Sequence, residues 1–125
     1  MNKLSISIAL ACLFGASGVM AQSYPDRPIR VIVAVPAGGT PDVMARVITT
    51  GMSKVLGQPL VVDNRGGAGG MIGGETAAKA APDGYTLFVS SPGPLAILPH
   101  MHKQLGYDPR NAFTPIGLIA SNPFL

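Results

Sequence analysis

The stretch Ile29-Arg30-Val31-Ile32-Val33-Ala34-Val35-Pro36-Ala37-Gly38-Gly39-Thr40-Pro41-Asp42 decides the fold. Apart from Arg30, its first seven residues are β-branched or small and apolar. Such a run suits a strand buried on both faces of a parallel sheet. Pro36 to Gly39 break it. Thr40-Pro41-Asp42 then reads as a helix start, with Thr40 as N-cap, Pro41 at the first helical position and an acid in the first turn. Val43, Met44, Val47, Ile48, Met52, Val55 and Leu56 recur at helical spacing, and Gly57 is placed to end the helix in a left-handed cap.

Downstream, the same unit repeats. Leu60-Val61-Val62-Asp63 predicts a short strand, Asn64 to Gly70 a glycine loop, and Met71 to Ala80 a short helix rich in alanine. Pro82-Asp83-Gly84 is a turn. Tyr85 to Ser90 predicts a third strand, broken by Ser91-Pro92-Gly93-Pro94. A helical piece is expected from Leu95 to Lys103, a turn at Tyr107 to Arg110, and a fourth strand from Thr114 to Ala120. Alternation of strand and helix predicts an α/β fold with a mostly parallel sheet. Ligands of such sheets bind outside the carboxyl ends of the strands. The breaks at Pro36–Thr40, Asn64–Gly70 and Ser90–Pro94 all follow a strand, so all three are expected on that edge.

Upstream, Met1-Asn2-Lys3 carries one positive charge, an apolar run extends from Leu4 to Phe14, and Val19-Met20-Ala21 has small or compact residues where a signal peptidase reads. This order predicts a secretory signal peptide over residues 1–21, with Gln22 first in the mature chain. The apolar run is short of the roughly 20 residues that span a bilayer, which argues against an anchor. The single cysteine, Cys12, lies inside that segment, so no disulfide or thiol ligand is expected in residues 22–125.

Nine basic against six acidic residues give a formal net charge of +3, scattered without runs of one sign, and Trp is absent. Neither nucleic acid nor an anionic membrane surface is indicated. Sixteen glycines and 12 prolines cluster between the apolar runs, which points to ordered turns.

Glycine lets backbone N–H groups approach a ligand, and a helix start adds unpaired donors and partial positive charge. Two glycine loops feeding helix starts therefore make a candidate anion site, with a carboxylate the commonest small anion that fits. The same glycines equally serve tight turns and close helix–sheet contacts. Asp42 either orders its loop from the first helical turn or meets a ligand through water or an amine. Ser90 and Ser91 either donate to an anion or end a strand. Arg65 reads as a surface charge or an acid-pairing group.

Gly69 and Gly74 have phosphate-loop spacing and Thr76 keeps the hydroxyl, but Glu75 stands where the motif needs lysine. A nucleotide-dependent enzyme is thereby disfavoured. His100 and His102 have no neighbouring acids or thiols to complete a metal site, and no serine sits in a nucleophile elbow. No enzyme, cofactor or metal is expected.

The residues Tyr24-Pro25-Asp26-Arg27-Pro28-Ile29-Arg30, Pro36 to Arg46, Leu56-Gly57-Gln58-Pro59, Val62 to Gly70, Ala81 to Leu87, Tyr107-Asp108-Pro109 and Phe113-Thr114-Pro115-Ile116 resemble, in order, the Bug family of periplasmic receptors of tripartite tricarboxylate transporters. Ala37 stands where that family often has proline, and Thr40-Pro41 where Pro-Thr or Gly-Thr is common. The resemblance implies a periplasmic-binding-protein-like (type II) lobe, with residues 22–125 a partial first lobe of a two-lobed receptor, truncated within that lobe and lacking the second. It implies a monomer that captures a small carboxylate (a di- or tricarboxylate, an amino acid or an aromatic acid) in the periplasm and presents it to membrane permease subunits. A truncated, non-binding remnant of such a receptor is the alternative. The implied ligand-binding residues are Gly38, Gly39, Thr40, Asp42, Ala68, Gly69, Ser90 and Ser91.

Overall fold

A computed structural model describes residues 23–121. The predicted signal peptide, with Cys12, lies outside the described residues. Three parallel strands, β1 (Ile29–Val33), β2 (Leu60–Asn64) and β3 (Thr86–Val89), form one sheet in the order β2-β1-β3. In register, Val33 stands beside Asn64 on one side and Val89 on the other. The central strand is the most apolar, and Ile29, Val31, Ile32 and Val33 are fully buried.

Helix α1 (Thr40–Leu56) connects β1 to β2, and α2 (Met71–Ala78) lies on the path from β2 past β1 to β3. The two crossovers run in opposite directions along the sheet, so a common handedness places their helices on opposite faces. The packing follows this rule. Val31 and Val33 meet Ala45 of α1, with Val35, Leu60, Val62, Leu87 and Val89 around them. On the other face a Cβ added at Gly73 of α2 would lie 2.8 Å from Ala34 Cα, and one added at Gly74 would strike the Tyr107 ring. These two glycines let α2 lie close against β1 and the Tyr107 segment.

Gly57 ends α1 at φ 68°, its N–H donating to Ser53 O at 3.0 Å. The start of α1 differs from expectation: Gly39, not Thr40, is the N-cap, and no side chain caps it. The Asp42 and Val43 N–H groups donate to Gly39 O, and the Asp42 carboxylate reaches back to the Gly38 N–H.

The face that α1 buries also differs. Asp42, Ala45 and Thr49 point inward, whereas Val47 is 66% and Val55 86% exposed. Ala45 lets the helix axis approach Val31 and Val33. Thr49 and Ser53 are tolerated inside because each hydroxyl donates to a carbonyl one turn earlier, and Ser53 Oγ accepts from the Leu60 N–H at 3.1 Å.

After β3 the chain makes a wide helical turn (Gly93–Ile97) and a short helix α3 (Leu98–Met101). Residues 114–120 form no strand among the described residues, and Ile116 and Leu118 are each 85% exposed. Phe113 stacks on Phe88 at 5.0 Å, holding the chain to β3 just before this segment. An extended segment becomes a strand only when another strand satisfies its backbone, and none pairs with it here.

At the amino end of the sheet Tyr24 donates to Gly84 O, Tyr85 donates to Asp26, and Arg27 pairs with Asp83 at 2.9 Å while lying 4.2 Å from the Tyr85 ring centre. The segments before β1 and before β3 are thus clasped together, at the end of the sheet away from the glycine loops.

Candidate functional site

The three parallel strands deliver their following loops to one edge. The loops also touch. A Cβ at Gly66 would lie 2.6 Å from Pro36, one at Gly70 would collide with Pro94, and one at Gly93 would come within 3.2 Å of Gly69 O. Gly38, Gly39 and Thr40 from the first loop, Ala68 and Gly69 from the second, and Ser90 and Ser91 from the third therefore share one shelf. Gly38 has φ 88° and Gly70 φ 94°, both in the region that favours glycine. Ala68 is the one non-glycine residue there among those described, at φ 48°. Such strained backbone concentrates where a loop is held for use.

Among the described residues, the N–H groups of Thr40, Ala68 and Gly69 have no acceptor. Thr40 opens a 17-residue helix whose dipole places partial positive charge on this edge.

Asp42 lies beneath the shelf, 2% exposed. Its Oδ2 accepts from the Gly38 N–H at 2.8 Å and from Arg46 Nε at 3.1 Å, and its Oδ1 accepts from Asn64 Nδ2 at 3.0 Å. The Arg46 hydrogen bond, then those of Gly38 and Asn64, hold its pKa down to about 2 against the opposing effect of burial. Its carboxylate is thus engaged internally, and Arg46 compensates its charge.

Asn64 ends β2. Its Nδ2 also donates to Val35 O at 3.1 Å, and its Oδ1 accepts from Arg46 at 3.1 Å. Sequence reasoning did not single out Asn64 or Arg46 for this role. The four-residue spacing of Asp42 and Arg46 on one helix was the available signal.

Ser90 Oγ donates to Ser91 O at 2.9 Å, closing the third loop on itself. Arg65 Nε donates to both oxygens of Asp63, at 3.0 and 3.1 Å. Arg30, the stronger influence, and Arg65 together lower the Asp63 pKa. Arg65 is therefore taken up on β2. Glu75 lies 3.6 Å from Lys79, and Gly74 is spent on packing against Tyr107. Phosphate-loop spacing here reflects helix packing. His100 and His102 are exposed, and among the described residues no three His, Cys, Asp or Glu side chains converge as metal ligands. Two depressions, one lined by Pro28, Arg30 and Asp63 and one by Leu95, His100 and Arg110, include none of the shelf residues in their lining.

A parallel sheet in the order 2-1-3, with glycine loops and free amides at its carboxyl edge, is part of an open α/β fold of the kind that binds ligands at that edge. The chain belongs to the tripartite tricarboxylate transporter family of receptors: the model of that family, described as "Tripartite tricarboxylate transporter family receptor", matches residues 44–125. It is 43% identical over 121 residues to the protein BugT of Bordetella pertussis, covering 96% of this chain and 37% of that one. The structure of the periplasmic binding protein BugD is similar at TM-score 0.72 and 42% identity, over 75% of this chain and 31% of BugD. MatC from Rhodopseudomonas palustris, solved with bound malate, is similar at TM-score 0.73 and 41% identity, over 77% of this chain and 33% of MatC. A further R. palustris protein, solved with adipate, is 36% identical at TM-score 0.61, over 70% of this chain and 29% of that one. The chain thus spans 37% of the length of BugT.

Proposed function

We propose that this chain contributes the carboxylate-binding wall of an extracytoplasmic solute receptor. The reading rests on one observation: loops from three parallel strands meet on a single edge with unpaired amides, while the carboxylate of Asp42 beneath them is neutralised internally. An anion there meets the N–H groups of Thr40, Ala68 and Gly69 and the end of a helix dipole without facing a free carboxylate. The Gly38 N–H is not among these donors, because Asp42 occupies it. Gly38, Gly39 and Asp42 shape the turn, and Ser90 and Ser91 border it.

Malate in MatC and adipate in its R. palustris relative support a small dicarboxylate as the ligand class. Family membership supports residues 1–21 as an export leader, residues 22–125 as part of the first of two lobes, a periplasmic location, and delivery to membrane permease subunits.

Calorimetry of the 125-residue chain tests this. Malate, succinate and adipate are titrated beside their neutral diamides. Heat from at least one diacid and none from its diamide is expected. Equal heats for acid and diamide, or none for any acid, would sink the reading.

A further inference from the structure

We infer that Asn64 is the positioning residue of the first glycine turn: its carboxamide ties Val35 at the exit of β1 to Asp42 in the first turn of α1, and so fixes the backbone that presents the Thr40 N–H. The inference rests on the proposed role of the shelf in binding an anion.

The geometry assigns every polar atom of that side chain. An amide nitrogen has two hydrogens. One goes to Val35 O at 3.1 Å and the other to Asp42 Oδ1 at 3.0 Å. The amide oxygen accepts from Arg46 at 3.1 Å. The opposite amide orientation would set its oxygen against the Val35 carbonyl and the Asp42 carboxylate, and its NH2 against a guanidinium, so the partners fix the orientation. Register puts Asn64 beside Val33, two residues before Val35. Asn64 therefore sits where one short side chain spans strand exit and helix start. Asp42 in turn holds the Gly38 N–H at 2.8 Å. The links run from β2 through Asn64 and Asp42 to Gly38.

The charged groups around Asn64 are Asp42 and Arg46 on α1 and its chain neighbours Asp63 on β2 and Arg65 just after it, with Arg30 of β1 paired to Asp63. Asn64→Asp keeps the shape and removes both donors. It sets a second carboxylate against Asp42 at neutral pH. When protonated, the new carboxyl regains one donor. This gives the substitution a pH signature that loss of packing does not have.

The test is amide hydrogen exchange by NMR on the 125-residue chain, without ligand. In Asn64→Asp the protection of the Gly38 N–H is expected to fall by ~10-fold at pH 7, about one hydrogen bond's worth, and to recover towards the unsubstituted value near pH 4. The Ile29 and Arg30 N–H groups, bonded to Pro59 O and Tyr85 O at the far end of the sheet, keep their protection. Unchanged Gly38 protection, an equal fall at both pH values, or equal loss at Ile29 and Arg30 overturns the inference. If the variant does not fold, the unsubstituted chain still decides. Both Asn64 Nδ2 hydrogens are expected to exchange slowly and to shift as Asp42 titrates, and free-amide behaviour overturns the inference. Because no ligand is present, these outcomes are independent of whether the shelf binds an acid.

Discussion

The carboxylate of Asp42 accepts the Gly38 N–H at 2.8 Å, four residues back in the chain. One contact thus joins the buried start of α1 to an exposed turn with φ 88°. It also sets the electrostatics of the shelf, because the same carboxylate is bound to Arg46 and Asn64. An acid placed where an acidic ligand would repel it is instead converted into scaffold.

The Asp42 pKa of about 2, below the usual 3.8, links this contact to stability. A carboxyl with a depressed folded-state pKa stabilises the fold fully above its unfolded value and loses that contribution as pH falls through the folded value. The contribution of Asp42 is therefore present above about pH 4 and fades towards pH 2. Urea unfolding followed between pH 6 and pH 2 should show this loss, and Asp42→Asn should be less stable at pH 6 with a flatter pH profile. An unchanged profile would contradict the assignment.

Glycine-to-alanine changes should have opposite signs at two helix positions. A Cβ at Gly51 in α1 meets nothing within 4 Å, so Gly51→Ala should stabilise by about 0.5–1 kcal/mol through helix propensity. A Cβ at Gly74 strikes Tyr107, so Gly74→Ala should cost about 1–3 kcal/mol. Paired urea denaturation curves decide both.

The orientation of α1 makes a further contrast. Val47→Ser, on an exposed apolar position, should change stability by no more than about 0.5 kcal/mol. Ala45→Leu, against Val31 and Val33, should destabilise by about 1–3 kcal/mol through overpacking. A larger cost for Val47→Ser than for Ala45→Leu would mean that the helix packs on its other face.

Tyr107 is buried and donates to Pro94 O at 2.7 Å, behind the third loop. Tyr107→Phe keeps the ring, which packs edge-on to Phe113, and leaves a buried carbonyl without its donor. A loss of about 1–3 kcal/mol is expected by thermal or urea denaturation.

Strands and loops were legible because their signals are local. The β-branched run from Ile29, the glycine and proline breaks after each strand, and the Gly57 stop each depend on neighbours within a few residues, although β1 ends at Val33 and β2 takes in Asn64. What was not legible depends on distant partners. The inward face of α1 is chosen by how closely the sheet approaches Ala45, and the valines at 43, 47 and 55 carry the stronger local pattern. Residues 114–120 read as a strand, but pairing requires a partner that local pattern cannot supply. Gly69 to Gly74 mimic a phosphate loop because Tyr107, more than 30 residues on, demands a missing side chain. Asp42 was legible as a loop organiser, whereas Asn64 required the β1–β2 register.

The shelf at the carboxyl edge is proposed to bind a carboxylate through backbone amides. Mapping amide chemical shifts of the 125-residue chain during titration with malate tests it most directly. Saturable shifts concentrated at Thr40, Ala68 and Gly69, with smaller ones at Gly38, Gly39, Ser90 and Ser91, are predicted. Shifts confined to other cationic positions such as Arg27, Lys79 or Arg110, or no saturable shift at the shelf, would contradict it.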